Sequence, residues 1–258
     1  MFIEERKEKI VKFIEDKNAV TVDELCELFN VSEVTVRKDL NELSNAGLII
    51  RTHGGAVKVK ETAFEQSQKS KENESVKEKK LIAERAYEEI KDNETMILDA
   101  GTTTQELAKK IKSGPKTNLT VITNAFNIAN ELLGCEKVEL IFVGGTVRAQ
   151  ILSCVGMFAE EALKNIHVDR AFLGVNNLSA EHGLTTPNMQ ECKVKKCMLD
   201  AARKKYVLAD SSKFKTSSLY CISDFKELNL IITDNGVEES YRKKINERGG
   251  HIAVVTVK

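Results

Sequence analysis

The sequence predicts an α/β protein in two parts, a small mainly helical head over residues 1–59 and a larger, mostly parallel α/β domain over residues 79–258. In the head, capped amphipathic stretches precede two short apolar runs. From residue 95 onward, β-branched runs alternate with amphipathic helices, as in a parallel sheet covered on both faces. Residues 60–78 are rich in Lys, Glu, Ser and Gln, which predicts a solvated linker or an exposed helix.

The first predicted helix of the head follows a capping box. Thr21 is placed to cap the helix, and Glu24 stands three residues later, where its side chain can return to the cap. Apolar residues then recur at helical spacing up to residue 29. Asn30 and Val31 supply a tight turn, so this helix is short and a second one follows at once.

The second predicted helix has distinct inner and outer faces. Ser32 can cap its start, and Gly47 supplies a left-handed stop. The inward stripe consists of Val36, Leu40 and Leu43. The outward face carries Glu33, Val34, Arg37, Lys38 and Asn41. Residues 48–52 and 56–59 read as two strands, and the turn between them, His53-Gly54-Gly55, has little side-chain bulk and lets backbone N–H groups approach a phosphate.

This order of elements matches the winged helix-turn-helix plan, in which the outward face of the second helix enters the major groove of DNA. A small helical domain that merely packs is the alternative, but the order and spacing favour binding to double-stranded DNA. The recognition motif covers about residues 20–40. The predicted DNA-binding residues are Ser32, Thr35, Arg37, Lys38, Asn41, Arg51, His53, Gly54 and Gly55.

Charge is placed locally and is not in overall excess, since 39 Lys and Arg residues balance 39 Asp and Glu residues. Residues 32–60 hold five cations against three acids, whereas residues 1–31 hold five against eight. Neutralised phosphates supply most of the affinity of a DNA-binding domain, so one head should bind weakly and with marked salt sensitivity. We therefore expect a homo-oligomer, a dimer or a tetramer, that assembles mainly through residues beyond 80.

Composition also excludes several classes of protein. The six cysteines form no C-x-x-C pair and no cluster with the four histidines, so neither a metal, a cofactor nor a disulfide is expected, and the thiols should pack in the interior. No uncharged run approaches the about twenty residues that a membrane helix needs. The N-terminus has no apolar signal core. These features predict a cytoplasmic protein without a membrane partner.

The α/β domain is predicted from seven short β-branched runs and the helical patterns between them. The strands are placed at 95–99, 119–123, 139–143, 170–175, 205–209, 228–233 and 251–256, with helices at 104–112, 125–133, 189–203 and 237–248. Ligands of such sheets bind beyond the carboxyl ends of the strands. The residues that follow several of these runs are polar or glycine, and we expect them to converge on one pocket.

Several of these strand ends suit an anionic ligand. The loop from Asp99 to Thr104 offers hydroxyls and backbone N–H groups at a helix N-terminus, which suits a phosphate, although many such loops merely turn and cap. Asp210 and Lys213 supply an acceptor for a hydroxyl and a cation for an anionic group; a surface ion pair is the alternative. Arg148 stands near the third strand end. The predicted effector-binding residues are Asp99, Gly101, Thr102, Thr103, Thr104, Asn124, Gly145, Lys193, Asp210 and Lys213.

Several motifs of the chain are typical of one family. The head contains VSEVTVRKDLNEL and GLIIRTHGGA, and the α/β domain contains LDAGTTT, TN, VGG, D-x-AFLG and LADSSKF. In these motifs the chain resembles the winged N-terminal domain and the C-terminal sensor of the DeoR family of bacterial transcription regulators. The resemblance implies a sensor that resembles the ribose-5-phosphate isomerase fold. It also implies a repressor of sugar-metabolism genes, whose affinity for operator DNA is switched by a phosphorylated sugar.

Three functions remain open: an effector-responsive regulator, a sugar-phosphate isomerase-like enzyme with a DNA-binding head, and a constitutive architectural DNA binder. An isomerase needs a general acid or base against a sugar carbon. Only Asp169 and Asp210 are candidates for it, and the carboxylate-rich segments of that enzyme family are absent from the sequence. Bending DNA does not require a second domain with polar strand ends. We therefore expect a regulator that is not an enzyme and has no catalytic residue.

Overall fold

A computed structural model describes residues 3–45, 48–52, 54–58, 67–214 and 217–257. The chain divides into two compact units, Met1–Ser70 and Lys71–Lys258. The first unit contains the head, and the second contains the α/β domain. Gly47, His53 and the linker residues 60–66, on which some of the predictions fall, lie outside the described residues.

The head is a winged helix-turn-helix. Its core is formed by apolar residues of three helices and three strands, and the helix residues Ile10, Leu25, Val36 and Leu40 are wholly buried. The three-stranded antiparallel sheet has the order β1-β3-β2. In chain order the elements are α1 (Ile3–Lys17), β1 (Ala19–Thr21), α2 (Val22–Phe29), α3 (Glu33–Asn45), β2 (Ile49–Thr52) and β3 (Gly55–Lys58).

The predicted cap at Thr21, the turn at Asn30 and the two faces of α3 are confirmed. The hydroxyl of Thr21 accepts the N–H of Glu24, whose carboxylate accepts the N–H of Thr21 at 2.8 Å, so the capping box is complete. Asn30 ends α2 in the left-handed conformation, at φ 50°. Val36 and Leu40 are inside and Arg37 is outside.

Two elements of the head were not predicted. Helix α1 is rich in charged residues and buries mainly Ile10 and Ile14, so few apolar positions show the helical period in the sequence. Strand β1 has only three residues, and it is a strand because it pairs with β3. Both depend on contacts with distant parts of the head.

The α/β domain is built on a seven-stranded parallel sheet of order β15-β14-β12-β9-β4-β5-β6. All seven predicted strands are confirmed, and their ends shift by up to three residues. The sheet strands are β4 (Thr95–Leu98), β5 (Leu119–Thr123), β6 (Val138–Phe142), β9 (Val168–Gly174), β12 (Ala202–Leu208), β14 (Leu230–Asp234) and β15 (Ile252–Val255). The helices are α4 (Gln68–Glu72), α5 (Val76–Glu88), α6 (Thr102–Ser113), α7 (Phe126–Leu132), α8 (Met157–Lys164), α9 (Met189–Asp200) and α10 (Glu239–Glu247).

Apolar side chains cover both faces of this sheet, as the continuous β-branched runs predict. Successive residues of β4 show this directly, since Met96 and Leu98 enter one core cluster and Ile97 enters the other. The helices that connect parallel strands therefore lie on either side of the sheet.

Two small antiparallel additions were not predicted. Strands β7 (Thr146–Arg148) and β8 (Ser153–Val155) form a hairpin after β6. Strands β10 (Asn177–Ser179), β11 (Gly183–Thr186) and β13 (Tyr220–Ser223) form a separate sheet. Each of these strands has only three or four residues, too few to give a periodic signal.

Two further predictions can be compared with the described residues. None of the described helices is long and apolar enough to cross a membrane. The expectation that the cysteines pack in the interior is only partly right, because Cys154 and Cys192 are buried whereas Cys221 is exposed.

Candidate functional site

The outward face of α3 is the candidate DNA-binding surface. Val34, Arg37, Lys38 and Asn41 are all exposed there. The guanidinium of Arg37 donates to the carboxylate of Glu33 one turn earlier, at 2.8 Å from Nε. The ammonium of Lys38 makes no hydrogen bond to any described residue. Lys38 is therefore the more available of the two cations for a phosphate, whereas Arg37 has to leave Glu33 before it can contact DNA.

Arg51 on the wing reaches back to the recognition helix. Its Nη1 donates to Oδ1 of Asn41 at 2.8 Å and to the carbonyl oxygen of Arg37 at 3.2 Å. These bonds fix the angle between β2 and α3 before DNA arrives. A contact of Arg51 with the DNA backbone stays a prediction, and it has to be compatible with this bracing role.

Ser32 and Thr35 define the start of the recognition helix. The hydroxyl of Ser32 accepts the N–H of Thr35 at 3.3 Å, and the two hydroxyls lie 2.9 Å apart. Ser32 therefore acts as the predicted N-cap, and both polar side chains stand at the helix N-terminus, where a phosphate is favoured.

The two described glycines of the wing turn have different surroundings. A Cβ atom at Gly54 would meet nothing within 4 Å, so this position leaves room for a close backbone approach. A Cβ atom at Gly55 would lie 2.0 Å from the carbonyl oxygen of Val20. Gly55 is therefore required by the pairing of β3 with β1, which the sequence did not reveal.

A buried ion pair behind the recognition helix was also missed. Arg6 of α1 donates from Nε to Oδ2 of Asp39 at 2.6 Å, and from Nη2 to Oδ1 at 3.2 Å. This hydrogen bond to Asp39 raises the pKa of Arg6. Asp39 follows Lys38 directly in α3, so the pair fixes the rotation of the helix that presents its cations.

The second candidate site lies at the carboxyl edge of the parallel sheet, where Asp99, Asn124 and Asp210 follow β4, β5 and β12. All three are 2% exposed. Buried polar groups of this kind have hydrogen-bond partners or ligands. The sheet therefore brings together at one edge the strand ends that the sequence singled out.

A buried ion pair occupies the centre of this edge. The ammonium of Lys195, on α9, contacts the carboxylate of Asp99 and donates to the carbonyl oxygen of Gly174 at 2.8 Å. The N–H of Gly174 donates to Asp99 at 3.1 Å. Burial lowers the pKa of Lys195, but the carboxylates of Asp99 and Glu191 raise it more, so the net shift is upward and the ammonium stays charged.

Glu191 extends the ion pair into a chain of charges. Its carboxylate lies 3.4 Å from the ammonium of Lys195, and it accepts the hydroxyl of Thr186 at 3.1 Å and Nη1 of Arg148 at 3.2 Å. The predicted effector ligand Lys193 is exposed on another face of α9. The sequence prediction missed Lys195, although the i,i+4 spacing places its ammonium on the same face of α9 as Glu191.

The threonine loop forms the first turn of α6. Thr102, Thr103 and Thr104 are all buried, and only the hydroxyl of Thr104 has a partner in the described chain, the carbonyl oxygen of Gly101 at 3.1 Å. Gly101 caps the helix without any side-chain hydrogen bond. Free backbone N–H groups and two free hydroxyls at a helix N-terminus form a surface that suits a phosphate.

Two lysines lie close to Asp210. Burial lowers the pKa of Lys79, the Asp210 carboxylate opposes this shift, and the Lys213 ammonium adds to it. The ammonium of Lys79 donates to the carbonyl oxygens of Lys71 and Glu74, which leaves one of its three protons available. Lys213 is half-buried, and its ammonium makes no hydrogen bond to the described residues. Lys79 was not singled out from the sequence, because it lies in a run of charged residues that continues from the predicted linker.

Asn124 and Asp210 each keep part of their hydrogen-bonding capacity. Asn124 donates from Nδ2 to the carbonyl oxygen of Cys154 at 2.7 Å, and its buried Oδ1 has no partner among the described residues. One oxygen of Asp210 accepts the N–H of Ser212 at 3.1 Å. Gly145 follows β6 and lies against β8, where a Cβ atom would come within 2.6 Å of the Val155 carbonyl oxygen.

Asp169, one of the two residues considered for acid–base chemistry, lies at the amino ends of the strands, across the sheet from the candidate site. It is the second residue of β9, and its carboxylate accepts the N–H of Thr95 at 3.0 Å and the hydroxyl of Thr95 at 3.1 Å. These bonds lower the pKa of Asp169. Asp169 and Asp210 therefore cannot act on one substrate. Among the described residues there is also no group of three His, Cys, Asp or Glu side chains that could hold a metal ion.

The fold and the two sites together define a transcription regulator with a DNA-binding head and a ligand-sensing domain. Residues 6–62 match the DeoR-like helix-turn-helix domain, and residues 74–235 match the DeoR C terminal sensor domain. The chain belongs to the DeoR family.

Relatives of similar length support this assignment. The chain is 38% identical over 246 residues to the HTH-type transcriptional regulator GlpR of Haloferax volcanii, covering 95% of each chain. It is 36% identical to the putative aga operon transcriptional repressor of Escherichia coli O157:H7, covering 97% of this chain and 93% of that one. Among solved structures, ribose 5-phosphate isomerase A from Methanocaldococcus jannaschii aligns with a TM-score of 0.39 and 20% identity over 53% of each chain.

Proposed function

We propose that this protein represses genes of sugar metabolism and that a phosphorylated sugar, bound at the carboxyl edge of the parallel sheet, switches its affinity for operator DNA. The observation that carries the proposal is the grouping of a free helix N-terminus with polar and cationic side chains at one edge of the sheet. Such a protein works in the cytoplasm, where its DNA is.

The proposed DNA contact is made by the outward face of α3. Arg37 reads base edges after leaving Glu33, and Lys38 contacts a phosphate. Arg51 and Asn41 hold the wing and the helix at a fixed angle, and the turn at Gly54 comes close to the backbone of double-stranded DNA. His53, which lies outside the described residues, belongs to the same proposed surface.

The proposed effector contact divides into a phosphate part and a sugar part. The phosphate sits at the first turn of α6, on the hydroxyls of Thr102 and Thr103, with the ammonium groups of Lys79 and Lys213 nearby. Hydroxyls of the sugar meet the free Oδ1 of Asn124 and the carboxylate of Asp210. A neutral sugar would satisfy only the second part, so phosphorylation is the feature that the site selects.

The proposed function includes no enzymatic activity. Asp99 is held in an ion pair with Lys195, Asp169 lies at the far edge, and Asp210 alone would have to serve both as acid and as base. The relatives that match over nearly the full length are named regulators. Purified protein incubated with ribose 5-phosphate should give no turnover.

The experiment that tests the proposal uses the full chain and a DNA duplex that the protein itself selects from random sequence. Fluorescence anisotropy measures the affinity for this duplex with and without a panel of triose and hexose phosphates. Each phosphosugar has its dephosphorylated counterpart as the control. A change in DNA affinity caused by a phosphosugar and not by its counterpart supports the proposal, and an affinity that no member changes contradicts it.

A further inference from the structure

A group of exposed apolar side chains lies at and near β6, the outermost strand on one side of the parallel sheet. Phe126 and Phe142 are each 40% exposed, and their ring centroids lie 5.1 Å apart. Met157 and Phe158, at the start of α8, are 69% and 75% exposed. We call these four residues, with Ile141 and Val147, the edge patch; the last two are 44% and 56% exposed. Large exposed apolar patches on a folded domain mark interaction sites.

The patch includes and flanks β6, the outermost strand on one side of the parallel sheet. Strand β6 pairs only with β5 in the described chain. Native proteins protect free edges with charge, and Glu139 is the single charged residue within β6. At the other edge of the sheet, β15 is half-buried throughout. Among the described residues, exposed apolar side chains therefore coincide with an outer strand at β6 and not at β15.

We propose that the edge patch is the surface through which two copies of this chain associate. At roughly 150–250 Å² for a buried aromatic side chain, the exposed fractions of Phe126, Phe142 and Phe158 alone amount to roughly 230–390 Å², and the other three side chains add to this. This approaches the about 800 Å² per partner that stable interfaces bury. An apolar surface of this size needs a partner, and the proposed function, on which this inference rests, requires paired heads.

A second copy fits this edge by symmetry. In a two-fold contact the same surface meets itself, and two edge strands related by such an axis run antiparallel. Pairing centred on Leu140 places Glu139 opposite Ile141 of the second copy, so no carboxylate faces its own copy. The neighbouring apolar side chains of α7 and α8 then flank a continuous sheet.

The same edge is connected to the proposed effector site. In the β7–β8 hairpin, Val147 belongs to the edge patch, and the next residue, Arg148, bonds to Glu191 at 3.2 Å. Glu191 in turn contacts Lys195. Successive residues of a strand point to opposite faces. The hairpin therefore has one side in the interface and the other in the charge network, so a ligand that displaces Arg148 also shifts the contact between copies.

The test is the molar mass of the full chain in solution, measured by sedimentation at micromolar concentration. The native protein should have at least twice its chain mass of 28.8 kDa. Phe158→Glu should lower this mass by half or more, and Leu219→Glu, which alters a residue 60% exposed outside the patch, should not. Met157→Glu is the second variant if Phe158→Glu fails to fold by circular dichroism.

Two results would overturn the inference: a native protein that sediments as a monomer, or folded patch variants that keep the native mass. Calorimetry with phosphosugars on the same samples separates this outcome from failure of the proposed function. If the patch variants lose mass but still bind a phosphosugar, the interface and the effector site are both supported. A dimer that binds no phosphosugar supports the interface and contradicts only the proposed effector.

Discussion

Lys195 and Asp99, 96 residues apart in the chain, form an ion pair in which both side chains are 2% exposed. The pair joins helix α9 to the end of β4 at the point from which the threonine loop departs. The pair therefore holds the threonine loop of the proposed phosphate site in position, and its two side chains are not available to bind the ligand.

Removing one partner of this ion pair should destabilise the folded protein. Lys195→Ala leaves a buried carboxylate without its counter-charge, and the free energy of unfolding should fall by about 3–5 kcal/mol. Lys193→Ala, on the exposed face of the same helix, is the matched control and should change it by less than about 0.5 kcal/mol. Urea denaturation at neutral pH measures both. Equal stabilities of the two variants would show that the ion pair does not hold α9 in place.

The pH dependence of the Lys195→Ala variant follows from the same contact. Burial raises the pKa of Asp99 above its ordinary value of 3.8, and Lys195 opposes this shift. Without Lys195, burial dominates. A carboxyl group whose folded-state pKa is raised contributes stability below its unfolded pKa, and this is lost as the pH rises through the folded pKa. The stability difference from the native protein should therefore shrink between pH 7 and pH 4. A constant difference over this range would contradict the assignment.

The two wing glycines should respond differently to alanine. Gly55→Ala places a Cβ atom against the carbonyl oxygen of Val20, so the head should melt at a lower temperature. Gly54→Ala has open space and should keep the native melting temperature, but it should weaken DNA binding if the backbone there approaches a phosphate. Thermal unfolding and DNA titration of both variants distinguish packing from contact. Native DNA affinity in Gly54→Ala would remove this turn from the proposed interface.

The two outward cations of the recognition helix should give different signatures. Arg37→Ala should cost about 1–3 kcal/mol in operator affinity and relax the preference at one base pair. Lys38→Ala should weaken binding to all DNA sequences alike and reduce the slope of log affinity against log salt concentration by about one. Titrations of the selected duplex and of its single-base variants, at several salt concentrations, measure both effects. If the double variant bound the operator as the native protein does, α3 would not be the recognition helix.

The parts of this fold that the sequence predicts depend on local patterns. The capping box at Thr21, the buried stripe of α3 and the seven parallel strands all have signals within a few adjacent residues. Strand β1 and the β7–β8 hairpin have three residues per strand, and they exist because distant backbone pairs with them. Short segments of this kind carry no periodicity to detect.

The candidate sites show the same limit. The strand ends at Asp99, Asn124 and Asp210 could be placed because parallel strands end at one edge. Lys195 and Lys79 could not be chosen from among neighbouring lysines, because burial by other elements decides which amine reaches the site. The bracing of Asn41 by Arg51 likewise depends on the angle between wing and helix.

The most direct test of effector sensing is titration calorimetry of the full chain with triose and hexose phosphates, comparing native protein, Lys213→Ala and the exposed-lysine control Lys193→Ala. Lys213→Ala removes one of the two proposed cations at the phosphate, so it should lose binding while its affinity for the selected duplex is unchanged. Lys193→Ala should bind as the native protein does. Heat from at least one phosphosugar in native protein and its loss in Lys213→Ala is the predicted result; equal affinity in both, or no heat from any member, would contradict the account.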